Sequence, residues 1–155
     1  MEIRFADIND VPGILALLRQ VGRVHHDGRP DLFRPNAQKY GASQVIAMLG
    51  KPGAPIFVAV RGDTVLGYCF CTVREFSRDS VMCDRTELYI DDLCVDEACR
   101  GQHIGSALFD AVCRYAKNRD CGSITLNVWC CNDAAMGFYK SRGLKPQKIG
   151  MEYIL

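Results

Sequence analysis

The sequence predicts a single α/β domain of the α+β type, with a mixed, mostly antiparallel sheet flanked by helices. Three observations carry this. Apolar periodicities of strand and helix type alternate along all 155 residues, with no internal repeat, low-complexity tract or linker between them. Two β-branched and aromatic runs, Ile56 to Val60 and Val65 to Val73, flank Arg61-Gly62-Asp63-Thr64, a hairpin signal. A strand ending at Val95 then passes through a short loop with glycines directly into a long amphipathic helix.

In order, residues 2 to 6 alternate as a short strand. Asp10 before Val11-Pro12 opens a helix whose apolar stripe is Ile14, Leu15, Leu17, Leu18 and Val21. His25 to Asn36, with Gly28, Pro30 and Pro35, reads as a loop. A second helix is predicted from about Ala37 to Leu49, ended by Lys51-Pro52-Gly53. After the hairpin and a polar break at Ser77 to Asp84, Thr86 to Val95 is a third long strand. Ile104, Leu108, Ala111, Val112 and Tyr115 recur at helical spacing over residues 102 to 118. Ser123 to Trp129 is a strand, Asp133 to Ser141 a short helix closed by Gly143, and Lys148 to Leu155 a final strand.

Hydrophobic residues at 48% and charged residues at 24% are globular values that predict a sizeable packed core. A net charge of +1 provides no field for a polyanion, so no nucleic-acid partner is expected and any phosphate binding must be local. The longest apolar runs, Ile14 to Leu18 and Ile56 to Val60, are too short to cross a bilayer, so no membrane association is expected. Met1-Glu2-Ile3-Arg4 has no export-signal character, so secretion is not expected and a cytoplasmic location is. The nine cysteines are odd in number and contain no Cys-x-x-Cys pair, so they read as reduced, mostly buried small hydrophobes. Neither Cys130-Cys131 nor His25-His26-Asp27 shows a four-ligand pattern, and no metal is expected.

The most informative stretch is Leu93-Cys94-Val95-Asp96-Glu97-Ala98-Cys99-Arg100-Gly101-Gln102-His103-Ile104-Gly105-Ser106. The first N–H groups of the helix have no intrahelical partners, the helix dipole adds partial positive charge, and Gly101 and Gly105 permit close backbone approach. Together they form an anion site suited to a pyrophosphate. The pattern is neither a Walker loop nor the Gly-x-Gly-x-x-Gly of a dinucleotide fold, which disfavours a Rossmann-type nucleotide enzyme.

With Asn127 and the run Asn132-Asp133-Ala134-Ala135-Met136-Gly137-Phe138-Tyr139-Lys140-Ser141-Arg142-Gly143-Leu144 added, the sequence resembles the Gcn5-related N-acetyltransferase (GNAT) superfamily. The resemblance covers nearly the whole chain in element order and is specific over residues 86 to 144. Arg100 to Gly105 is similar to the acetyl-CoA motif Arg/Gln-x-x-Gly-x-Gly/Ala, and Asn132 to Gly143 to the segment Asn-x-x-Ala-x-x-Phe-Tyr-x-x-x-Gly. His103 stands where the motif has its middle glycine, so the loop must accommodate a side chain there.

The resemblance implies a V-shaped splay between strand 86–95 and strand 123–129, with acetyl-CoA as co-substrate in the gap. Pantetheine would pair with the backbone of Leu93, Cys94 and Val95, and the pyrophosphate would lie on the amides of Arg100, Gly101, Gln102, His103, Ile104, Gly105 and Ser106. Asn132 would cap the short helix or also bond the pantetheine. Tyr139 would protonate the departing thiolate, a role suited to a phenol of pKa about 10 beside a thiol of about 8.5. An ammonium acceptor also needs a base. Asp91 matches an acidic, substrate-facing position of the polyamine acetyltransferases and is the first choice, Glu87 the second. Strand alternation puts those two on one face and Asp92 on the other.

The implied reaction is acetyl transfer to a primary amine of a small molecule or peptide, by direct attack in a ternary complex. A CoA-binding regulatory domain without turnover is the alternative. His25, His26, Arg29, Asp31 and Phe33 fall where the family builds part of its acceptor pocket. The residues after Gly143 leave little room for two closing strands, and Met151, Tyr153 and Leu155 alternate with Glu152 and Ile154. A single half-apolar strand needs a partner, which predicts a homodimer with this segment at or near the interface.

Overall fold

The computed structural model describes residues 1–155. Its strands β1 (Glu2–Phe5), β2 (Ile56–Arg61), β3 (Thr64–Phe76), β4 (Arg85–Val95) and β5 (Ser123–Leu126) lie in chain order in one sheet. β1 through β4 are antiparallel neighbours, and β5 alone runs parallel to β4. The helices are α1 (Val11–Gly28), α2 (Ala42–Met48), α3 (Ile104–Asn118) and α4 (Asp133–Ser141). The mixed, mostly antiparallel sheet between helices is the architecture the sequence predicts.

The period-2 strands divide their side chains between two cores. On one face Val58, Val60, Tyr68, Phe70 and Cys94 meet Ile14, Leu17 and Leu18 of α1 and Val45 of α2. On the other, Phe57, Ala59, Cys69, Cys71, Leu88 and Ile90 meet Ile104, Leu108 and Val112 of α3, with Phe138 of α4 packed beside them. Gly67 is required where these layers close. A Cβ there would come within 2.9 Å of the Cys94 carbonyl oxygen and 3.1 Å of Leu108.

Asp10 opens α1 in a way the sequence does not show. Its buried carboxylate accepts from both Arg4 guanidinium nitrogens, at 2.6 and 2.9 Å, and from the Asp7 N–H at 2.8 Å. Burial alone would raise its pKa, but the Arg4 fork and the Asp7 amide outweigh it and hold the carboxyl below its ordinary value. Asp10 thus ties β1 to the turn before α1 and makes no side-chain cap on α1 itself.

Several boundaries differ from prediction for identifiable reasons. α1 continues through His25 and His26 to Gly28, and Pro30 follows its end. α2 begins only at Ala42, because Pro35 and a left-handed Asn36 (φ 56°) precede it and the Gln44 side chain closes its first turn on the Gly41 N–H at 2.8 Å. β5 stops at Leu126, short of Trp129, because its one partner diverges after Ile90. Lys148 to Leu155 forms no strand, since none of its backbone groups bonds to another segment of the chain. Of the nine free cysteines only Cys69, Cys71 and Cys94 are buried, and Cys83, Cys130 and Cys131 are exposed. The exposed three lie outside strands and helices, where no core face covers them.

Candidate active site

The cleft originates in the pairing of β4. On one side β4 pairs with β3 along its whole length, down to Val95 opposite Gly67. On the other, β5 pairs only with Glu87 to Ile90. Asp91 to Val95 therefore have no strand on that side, so backbone groups of Leu93, Cys94 and Val95 border an open wedge. The next segment turns through Glu97 to Cys99 into α3. None of the N–H groups from Arg100 to Ser106 donates to any backbone or side-chain acceptor of the chain. An uninterrupted run of unsatisfied donors at a helix start suits an anion. Gly101 (φ 77°) and His103 (φ 59°, ψ 15°) are both left-handed. His103 occupies the left-handed region open to L-residues, which is how the loop keeps its shape without the glycine. A Cβ on Gly105 would lie 3.4 Å from the Phe138 ring and 3.7 Å from Val95, so any larger side chain must enter the space between the end of β4 and α4.

A bulge overturns the simple alternation of the carboxylates. Phe70 faces Asp92 and Cys71 faces Ile90, which leaves Asp91 as the extra residue of β4. Alternation holds from Glu87 to Asp91 and then slips, placing Asp92 on the same face as Asp91, toward α1 and α2. The contacts agree. The Tyr40 hydroxyl donates to Asp91 Oδ2 at 2.6 Å and the Tyr68 hydroxyl to Asp92 Oδ2 at 3.1 Å, and Tyr68 and Phe70 belong to the α1–α2 core. The expectation that Asp92 lies on the opposite face is thus incorrect, and Asp92 joins the site. Nothing in the local sequence signals a bulge.

Burial dominates Asp92 and pushes its pKa up to about 6. The Lys39 charge and the Tyr68 hydroxyl oppose the shift, and Asp91 adds to it. Lys39 lies 2.9 Å from Asp91 Oδ2 and donates to the Asp91 carbonyl at 2.9 Å. The loop between α1 and α2 thus reaches the bulge through Lys39 and Tyr40, two residues the sequence reading did not select. Glu87 shares this face about 13 Å further along β4. It is buried, 3.9 Å from Arg74, whose guanidinium lies over the Tyr89 ring at 3.4 Å.

From the other face, α4 brings Tyr139 to the cleft. Burial raises its phenol pKa, and Cys69, Asp92 and Cys71 add to the shift, so the proton is held throughout the neutral range. Asn132 caps α4, its Oδ1 accepting from the Ala135 N–H at 3.0 Å. Phe138 packs between α3 and the sheet, as its apolar character predicts. The segment after α1 carries an aromatic cluster. His26 Nδ1 is 2.7 Å from the Phe33 carbonyl oxygen, and Phe33 lies edge-on to His25 and Trp129. Burial lowers the His25 pKa, helped by the Lys39 charge. Arg29 holds Asp31 and reaches Glu152 of the C-terminal segment at 2.6 Å. No three His, Cys, Asp or Glu side chains gather as a ligand set.

A five-stranded sheet wedged open between β4 and β5, with free amides at a helix start, is the architecture of the GNAT fold. The acetyltransferase (GNAT) family matches residues 22–144, and the chain belongs to that family. It is similar to a point mutant of the BH1408 protein from Bacillus halodurans, 33% identical over 100% of this chain and 99% of that one, with a TM-score of 0.96. It is 28% identical over 106 residues to a Bacillus subtilis (strain 168) protein named "Putative ribosomal protein bS18-alanine N-acetyltransferase". That match covers 68% of this chain and 64% of the relative's length. In fold it also matches an aminoglycoside acetyltransferase, meta-AAC0020 from an uncultured soil metagenomic sample, solved with sisomicin. There the identity is 21%, the TM-score 0.74 and the coverage 99% and 95%.

Proposed function

We propose that the protein transfers the acetyl group of acetyl-CoA to a primary amine by direct attack in a ternary complex. The observation that carries this reading is the wedge. The β4 backbone at Leu93 to Val95, unpaired on its β5 side, leads at one end to the free amides of Arg100 to Ser106 and at the other to Asp91, Asp92 and Tyr139. The wedge would take an extended pantetheine as an added strand, the amides its pyrophosphate with Arg100 adding charge, and Asn132 the edge of the chain near α4. When bound, the thioester supplies an acyl carbon activated toward nitrogen nucleophiles.

The chain's own residues supply the proton transfers. Asp92, with Asp91 beside it, removes the ammonium proton of the acceptor, and a backbone N–H near Val95 stabilises the oxyanion. Tyr139, kept protonated by burial, donates to the departing sulfur. Glu87 lies too far along β4 to act at the same atom and holds the far side of the acceptor. The acidic face of Glu87, Asp91 and Asp92 fits a cationic small molecule or peptide amine, the acceptor type of the relatives whose names state one. Release of free CoA thiol with a panel of polyamines, aminoglycosides and peptide amines tests this. Turnover with at least one amine, lost in Tyr139→Phe while CoA binding persists, is expected. A protein that binds CoA yet turns over no amine would be the regulatory binder instead.

We also propose that it works in the cytoplasm as a homodimer. Met151, Tyr153 and Leu155 are each at least 87% exposed, so these side chains touch almost nothing of their own chain, while the outer edge of β5 has no partner. Two copies would satisfy both needs by laying each C-terminal segment at the other's interface. Light scattering of the full chain and of a chain ending at Lys148 decides. A full-length monomer at micromolar concentration refutes the dimer, and a shortened chain that stays dimeric moves the interface elsewhere.

A further inference from the structure

Lys39 is a primary amine already seated where the reaction needs one. It comes from the loop between α1 and α2, 52 residues from Asp91 in sequence, yet its Nζ is 2.9 Å from both the carbonyl oxygen and Oδ2 of that residue. Asp91 is the bulged residue at which β4 loses β5, so this nitrogen lies at the mouth of the wedge, on the side opposite α4. The Lys39 charge acts on Asp92, and the Asp92 charge acts in turn on the Tyr139 phenol. The Lys39 side chain is 43% exposed, and its carrier loop has no regular structure.

We infer that Lys39 is an intramolecular acetyl acceptor, a modification site that occupies the acceptor position until it is acetylated or displaced. The inference rests on the acetyl-transfer reading above. The step balances as follows. The Lys39 ammonium gives one proton to the Asp91 carboxylate 2.9 Å away, and the neutral Nζ forms a bond to the thioester carbonyl carbon. The carbon–sulfur bond breaks, the sulfur takes the Tyr139 phenol proton, and the second nitrogen proton returns to the phenolate. Acetyl-CoA and the lysine become CoA thiol and N-acetyl-lysine, with one proton released. Acetylation deletes the cation that holds Asp91, so the loop loses its ionic tie to β4 and external amines meet the carboxylates without competition.

The test needs no knowledge of the external acceptor. The full-length protein is incubated with acetyl-CoA alone, and acetylation at each of its six lysines is followed by peptide mass mapping. Lys39 is expected to react at least about tenfold faster than any other, at a rate independent of protein concentration. Tyr139→Phe should slow Lys39 about a hundredfold and leave the other lysines unchanged. Lys39→Arg should abolish the early gain of one acetyl mass. A Lys39 rate equal to that of Lys148, a rate that rises with protein concentration, or survival of the early acetyl gain in Lys39→Arg overturns the inference. A parallel melt with CoA separates the two readings. A raised melting temperature with an unreactive Lys39 rejects only the self-acetylation, whereas no shift with CoA rejects the acetyl-CoA site itself.

Discussion

Replacing Asp92 by Asn should make the protein more stable while removing the proposed base. The carboxyl moves from 3.8 to about 6 on folding because burial disfavours its charged form. A group whose pKa is raised in the folded state favours folding below its unfolded value and loses that contribution as pH rises through the folded value. At pH 8 the ionised Asp92 therefore costs up to about 3 kcal/mol, about two pKa units at 1.36 kcal/mol each. Asn keeps an oxygen for the Tyr68 hydroxyl and has no charge to desolvate. For a chain of this length the gain is roughly 6 to 12 °C in melting temperature. Thermal melts of both proteins from pH 3 to pH 8 would show curves that coincide near pH 3, separate between about 4 and 6, and run parallel above 7. A variant less stable at pH 8, or a difference that does not change with pH, would refute the reasoning by showing that the Tyr68 bond outweighs the buried charge.

The same ionisation should govern rate. Turnover per bound acceptor is expected to fall below about pH 6 as Asp92 protonates, and Asp92→Asn should remove that acid limb, which a pH–rate profile reads directly. Tyr139→Phe should lower turnover by about 10² to 10⁴ with CoA affinity retained, measured by titration calorimetry beside thiol-release kinetics. Acetyl-CoA and CoA should raise the melting temperature more than ATP or NAD, because the latter have no pantetheine to fill the wedge beside Leu93 to Val95. Gly105→Glu should abolish CoA binding, since its side chain enters the space between Val95 and Phe138 and carries negative charge to the helix start. Circular dichroism should show it still folded.

Much of this was legible in the linear chain, because it is set by local chemistry. Hairpin residues such as Gly62, with φ 57°, and the terminator Gly143, with φ 88°, mark turns by their own backbone preference. Apolar spacing located α3, whose stripe needs only a face to bury, and Asn132 acts as the cap its side chain suits. The Arg100 to Ser106 amides follow from any strand that turns at once into a helix. What only the tertiary structure decided depends on partners distant in sequence. The bulge opposite Phe70 and Cys71 moved Asp92 across the sheet, and its register is fixed by packing β3 and β4 between two cores rather than by the residues at the bulge. The end of β5 follows from where its pairing with β4 stops, at Ile90. Lys39 and Tyr40 reach Asp91 only because α1 and α2 pack on the face the bulge selects. Local preference ranges over a few residues, whereas a catalytic face is assembled by chain closure across dozens, and no single segment encodes it.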